Sequence, residues 1–477
     1  MTERMLIRDG YVLSMDPQVG ELQRGSVLVE DGVIVAVGSG LDAGDAEVVE
    51  AGGHVVMPGF VDTHRHTWQT ALRGVCADWS LMEYFRGIRQ TFSPRYLPED
   101  VYAGNHVGAL EALDAGVTTL LDFSHCNNSP AHADAAIQGL RDAGIRATFA
   151  YGYFPAPAPE PVFTDHRQRI TDAHRVQAEH FSSTDQLVRM GIALTESGLL
   201  PFHLHRAEIE SARELGVLLV AHTGCVWGST ITGGVEQFHA HGLLDAEQVH
   251  VHCNSLSDHE FDLLARAGAK VSCSPETELQ MGMGHPVIRR ALDRGMRPSL
   301  SCDIVSLNSG DMFTQMRMGL QFQRAMDNDP VLAAGAMPRT IDLTVRDALG
   351  WATINGAEAM GLGAVTGSLT PGKQADEIVV GGDRLNMTPL AAPVAAMVVQ
   401  AGAANVRDVF VAGRAVKRDF VLCDVDQAAV RRLAETSRER IFAAVERAGE
   451  PVLPPEPEGY QDLLNAMAEA NFAQVEG

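Results

Sequence analysis

Residues 58–74 read PGFVDTHRHTWQTALRG. An apolar run ends in two histidines one residue apart, His64 and His66, and then enters a helix-like segment. On a strand, residues i and i+2 point the same way. The two imidazoles therefore share one face at the C-terminal end of that strand. Whether this end is a site depends on what neighbouring strands carry there.

Seven further apolar runs follow the first, HVVMPGFVDTH: VTTLLDFSH, IRATFAYGY, VRMGIALTE, VLLVAHT, QVHVHC, AKVSCSP and RPSLSCD. Between them lie helix-like stretches such as ADAAIQGLRDAG, RAEIESARELG, SDHEFDLLARAG and PVIRRALDRG, several ending in the glycine typical of a helix C-terminus. Another helical stretch, GDMFTQMRMGLQFQRAM, follows the eighth run. Continuous apolar strands alternating with helices indicate a parallel sheet covered on both faces. Eight such units close most economically into a (β/α)8 TIM barrel over residues 57–365; an open doubly wound sheet is the alternative. No G-x-G-x-x-G follows the first strand, so dinucleotide binding has no support.

The flanks differ. Residues 1–56 alternate short β-rich runs with RDG and EDG turns, and the same texture returns over 366–423. These two segments are expected to form one small β-sandwich domain from both ends of the chain. Residues 424–477 read as a helical extension interrupted by PVLPPEPEG.

Composition narrows the function. The formal charge is −24, which argues against nucleic acid or an anionic membrane surface as partner. No charged-then-apolar leader or membrane-length apolar run is present. The seven cysteines are scattered and form no C-x-x-C pair, as expected for reduced thiols in a cytoplasmic protein. A small-molecule substrate and a homo-oligomeric assembly are expected.

Function in such a barrel sits at the strand C-termini. Those ends carry His64 and His66 (strand 1), His125 (2), Glu196 (4), His222 (5), His252 (6), Glu276 and Glu278 (7) and Asp303 (8). Imidazoles with a carboxylate suit zinc, iron or another transition metal, and three His plus one Asp leave a position open for water. His250 alternates with His252, and the pattern after residue 252 favours His252 as the inward residue. His203, His205, His239 and His241 fall in helical stretches and are expected to be solvated. Trp68, Gln69, Trp79, Phe92 and Trp227 flank the site and are candidates for the pocket, as are His125 and Glu196.

The chain resembles the amidohydrolase superfamily, in particular its triazine-hydrolase and cytosine–guanine deaminase-like branch. The resemblance rests on PGFVDTHRH, RG at 73–74, AGVTTLLDF, VAHT, HCNSL, LLARAGAKVSCSP, SCDIVSLNSGDMF, ATINGAEAMGLG and GSLTPGKQADEIVV. It implies one divalent metal ion, foremost Zn2+, held by His64, His66, His222 and Asp303. It further implies that Asp303 takes the proton of the attacking water and that His252 holds that water or the developing oxyanion. Two departures matter. Lys270, Lys373 and Lys417 are the only lysines, and none ends strand 3 or 4, so the lysine bridge of binuclear members cannot form; this favours one metal unless Glu196 bridges. Strand 5 continues His222-Thr-Gly-Cys225 where the deaminase branch reads H-x-x-E, and strand 8 has SCD for the common GTD. A thiol does not readily replace a carboxylic acid as proton donor to a ring nitrogen. Glu276 and Glu278, then Glu196, are the candidates for the missing acid. The reaction so implied is metal-dependent hydrolysis of a C–N or related leaving-group bond on a small nitrogen-containing ring. A lyase or isomerase on the same scaffold is the alternative, and a non-catalytic binding protein the third reading.

Overall fold

The computed structural model describes residues 3–155, 160–183, 185–225 and 231–473. Eight parallel strands follow one another in chain order: Phe60–Arg65, Val117–Ser124, Arg146–Gly152, Val188–Leu194, Leu218–Thr223, Gln248–His252, Lys270–Cys273 and Ser299–Leu300. Strand 8 meets strand 1 at the mouth. The His66 amide donates to the Asp303 carbonyl (2.8 Å), the Asp303 amide donates to the His64 carbonyl (2.9 Å), and Thr63 Oγ1 donates to the Leu300 carbonyl (2.9 Å). The hydrogen bonds that close the barrel thus join three residues expected to hold a metal.

The barrel interior is filled by Val61, Leu121, Phe123, Ala150, Ala193, Val220, Val249 and Val251, and plugged from below by Ala357, Met360 and Leu362. The outer helices end as their sequences suggest. Gly144, Gly216 and Gly268 adopt the left-handed conformation that stops a helix before the next strand.

The first apolar run is divided between two sheets. Val55–Pro58 pairs antiparallel with Glu377–Val380 in the small sheet, and only from Phe60 does the chain join the barrel. Gly59 is the pivot: its amide donates to the Asp376 carbonyl (3.0 Å), and a Cβ there would lie 2.2 Å from Thr118. No larger residue fits without moving strand 2. The small sheet has nine strands, contributed by residues 4–58 and 377–422, and surrounds its own core of Ile7, Val12, Val27, Ile34, Val379 and Phe410. Its base is tied to the barrel by Arg146, at the start of strand 3, against Asp376 (2.6 Å).

Helices Gln427–Arg447 and Tyr460–Ala473 fold back over the barrel. Ser437 donates to Asp100 (2.8 Å), Glu456 pairs with Arg86 (2.7 Å), and Asn471 donates to the Gly198 carbonyl (2.7 Å). Among the described residues, no helix is long and apolar enough to cross a membrane.

Candidate metal centre and active site

Four side chains converge at the mouth. His64 Nε2 lies 3.2 Å from His222 Nε2 and 3.2 Å from Asp303 Oδ1; His66 Nε2 lies 3.3 Å from His222 Nε2 and 3.5 Å from Asp303 Oδ1. A tetrahedral ion bonded at 2.0–2.1 Å needs ligand atoms about 3.4 Å apart. The tautomers agree with this spacing. His66 Nδ1 donates to the Phe123 carbonyl (2.9 Å) and His222 Nδ1 to Glu196 Oε1 (3.1 Å). In neutral His66 and His222 the proton is therefore on Nδ1, and their bare Nε2 lone pairs face each other. Burial holds His64 uncharged, pushed down to about 4, and holds His66 well below its ordinary value. Converging lone pairs beside a carboxylate fit a divalent cation.

Asp303 is fully buried. Burial pushes its carboxyl up, but His64, His252 and His66 outweigh this and hold it well below the usual carboxylate range. Its backbone, like that of His252 and Cys253, is left-handed (φ 60°, 72° and 58°). Such conformations cost non-glycine residues about 1–3 kcal/mol each and persist where surrounding structure imposes them. His252 Nε2 is 3.9 Å from Asp303 Oδ2, and His252 Nδ1 donates to Glu278 Oε1 (3.1 Å). Burial lowers the His252 value, but Glu278 and Asp303 raise it more, and the balance is upward.

The acidic candidates separate. Glu276 and Glu278 do not end strand 7; they lie on the short helix Pro275–Gln280, where residues two apart do not share a face. Glu278 is fully buried against His252 and the Ser274 amide (2.8 Å). Glu276 instead accepts from Ser309 Oγ (3.0 Å) and Gln315 Nε2 (2.8 Å), outside the site. Glu196 Oε1 accepts from both His222 and Arg89 Nη1 (3.1 Å). Burial raises the Glu196 carboxyl, but Arg89 and His222 outweigh this and hold it ionised. Held so, it has no proton to donate; it orients His222 and balances Arg89.

The cavity above these groups is bounded by His66, Glu196, His222, Cys225, His252 and Asp303 on one side and Leu81, Tyr84, Phe85, Arg89, Met281, Met283 and Ile304 on the other. Trp68, Gln69 and His125 stand behind this lining. Trp68 is fully buried in a 3-10 turn, Thr67–Leu72, and its indole N–H donates to His125 Nδ1 (3.0 Å). His125 stacks on His66 with ring centres 4.1 Å apart. Gln69 donates to the Tyr84 hydroxyl (2.7 Å). Trp79 packs on Gly87, and Phe92 on Phe442 (5.1 Å) in the core. Trp227 lies outside the described residues. His205, expected in solvent, is fully buried near Phe472.

The wall residues from 81 to 89 were not anticipated. Their signal is the stretch LMEYFRGIRQTF: Leu81, Tyr84, Phe85, Ile88 and Phe92 form an apolar stripe, and Arg89, four residues after Phe85, falls on that stripe. A charged residue on a buried face is the trace such a site leaves in sequence.

The barrel with this mouth defines a metal-dependent hydrolase. Residues 55–416 match the amidohydrolase family, and the chain belongs to it. It is an enzyme acting on non-peptide C–N bonds of small nitrogen-containing rings. A 5'-deoxyadenosine deaminase of Methanosarcina mazei is 28% identical over 92% of this chain and 99% of its own. A 5-methylthioadenosine/S-adenosylhomocysteine deaminase of Symbiobacterium thermophilum is 30% identical over 81% and 87%. Among solved structures, an adenosine deaminase from Xanthomonas campestris with bound zinc superposes with TM-score 0.79 at 26% identity, covering 92% of this chain and 98% of that one. Atrazine chlorohydrolase from Arthrobacter aurescens, complexed with zinc, has the same fold (TM-score 0.76, 20% identity, 92% and 100% covered).

Proposed function

We propose that this enzyme binds one zinc ion through His64, His66, His222 and Asp303 and hydrolyses an amino or related leaving group from a small nitrogen-containing ring compound. The observation that carries the metal is the approach of the four ligand atoms, with four of their separations between 3.2 and 3.5 Å and the Nε2 lone pairs of His66 and His222 unprotonated. When bound, the ion supplies Lewis acidity that brings the pKa of a water toward about 7.

This chain's own residues do the rest. Asp303 accepts the proton of the attacking water at Oδ2, the oxygen turned toward His252. Glu278 fixes the His252 ring through Nδ1 and favours its protonated form, so that Nε2–H donates to the leaving nitrogen. Water thereby adds its oxygen to the ring carbon, the amine leaves with the His252 proton, and the proton held on Asp303 Oδ2 passes to His252 Nε2, 3.9 Å away, to restore the starting state. The His252–Glu278 pair takes the role that Cys225 cannot fill. Leu81, Phe85, Met281 and Met283 exclude bulk water from the ring.

The test is a screen of amino-, amido- and halo-substituted heterocycles with metal-loaded protein in oxygen-labelled water. Labelled oxygen on the ring carbon, with release of ammonia or halide, is expected. Turnover without incorporated label would replace hydrolysis by the lyase or isomerase reading.

A further inference from the structure

Arg89 is the one wall residue whose hydrogen bonding the reaction leaves incomplete. It sits on the π-helical segment Phe85–Phe92 and is 1% exposed. Its guanidinium lies over the Phe154 ring at 3.8 Å, which covers one face and leaves the edges for hydrogen bonds. Nη1 donates to Glu196; Nε and Nη2 are buried and have no acceptor among the described residues. These two nitrogens form one edge of the guanidinium, a parallel two-donor fork matched to a planar carboxylate. A buried donor without a partner costs about 1–3 kcal/mol, and more for a charged group. A second donor lies in the same surroundings. His125 Nδ1 accepts from Trp68, so the neutral ring carries its proton on Nε2, and that atom also has no partner among the described residues.

Charge points the same way. Arg89 is balanced by Glu196, and Glu278 faces His252. A divalent ion beside the single carboxylate Asp303 leaves one positive charge, which a monoanionic substrate cancels.

We propose that Arg89 is the specificity residue of this cavity and that the substrate ring carries a carboxylate, held by the Nε–Nη2 edge of Arg89. The proposal rests on the reading of the cavity as the pocket of a ring hydrolase, and it narrows that substrate to an anionic heterocycle. A neutral carboxamide of the same shape offers one acceptor in place of two and brings its own N–H against a donor.

The probes are aminopyrimidine carboxylates, each beside its carboxamide, with affinity measured by calorimetry on metal-free and metal-loaded protein. The carboxylate should bind at least about tenfold more tightly in both forms, the discrimination of one charge-assisted bidentate contact. Arg89→Gln should abolish the preference, and Arg89→Lys should keep only part of it, since an ammonium lacks the fork. Because Arg89→Gln removes the cation beside Glu196, the double change Arg89→Gln with Glu196→Gln serves as a second variant, its metal content and melting temperature checked first. Equal affinity of carboxylate and carboxamide for the unaltered protein overturns the proposal, as does a preference that survives in either folded glutamine variant. Arg89-dependent preference without turnover of any probe supports Arg89 and removes the proposed reaction. Turnover of the probes without that preference does the reverse.

Discussion

Asp303 at the barrel mouth and Glu377 at its base are both fully buried carboxyl groups, yet they are pushed in opposite directions. Three imidazoles surround Asp303 and hold it ionised. Glu377 has no hydrogen-bond partner at either oxygen among the described residues and stands beside Asp376, which is paired with Arg146. Burial and that neighbouring acid push Glu377 up to about 8. Burial penalises charge equally in both places; the supply of partners decides the outcome. The mouth stores charge for chemistry, whereas the base tolerates an acid by keeping it protonated.

Removing the charge at the mouth should have the largest effect. Asp303→Asn keeps the shape and removes the base, so turnover should fall about 10²–10⁴-fold. Turnover per bound metal, measured beside melting temperature, separates this from loss of fold; near-normal turnover would leave Asp303 as a loop-ordering residue only. The same kind of change at the base should act on stability alone. Glu377 binds its proton in the folded state up to about pH 8 but releases it near 4.5 when unfolded. The folded chain therefore holds more protons between those values. The stability from the protonated group is complete below 4.5 and is lost as pH rises through 8. The loss is on the order of 3–5 kcal/mol at its ceiling. Glu377→Gln should flatten this decline, read as melting temperature at about pH 6 and about pH 9, with activity unchanged. Equal slopes in both proteins would show that the base carries no such penalty.

Glu278→Gln tests the partner of His252 and not a metal ligand. A loss of about 10–100-fold in turnover is expected, the range for residues that orient a site from behind, with metal content retained. Loss of the metal instead would place Glu278 in support of the ion. The smallest effect belongs to Cys225→Ser. If the thiol neither attacks nor shuttles a proton, turnover stays within about threefold, since serine is close to cysteine in size and leaves the shape of the cavity wall unchanged. A collapse of activity would return the acid role to strand 5.

Much of the mouth was legible because a parallel barrel reports locally. Each strand is a short apolar run, and its last polar residue lies at the C-terminal face, so His64, His66, His222, His252 and Asp303 can be picked by position in their own segments. The illegible residues are those where one element ends and another begins. Pro275 starts a helix two residues after strand 7, which sends Glu276 to Ser309 and Glu278 to His252. A single 3-10 turn after His66 rotates Trp68 and Gln69 behind the lining. Gly59 splits one apolar run between two sheets, a division that depends on the close approach of Thr118 and not on residue type alone.

The sequence by itself determined the barrel, the order of its strands and the residue types at its mouth, because apolar period, helix ends and strand ends are properties of neighbours in the chain. Tertiary structure alone decided which of those residues meet. Arg89 and Glu196 are 107 positions apart, and Thr63 reaches Leu300 across 237. Pairings at such distances follow from how the sheet closes and where the wall segment docks, and these set which buried acid is charged, which is neutral and which donor is left for the substrate.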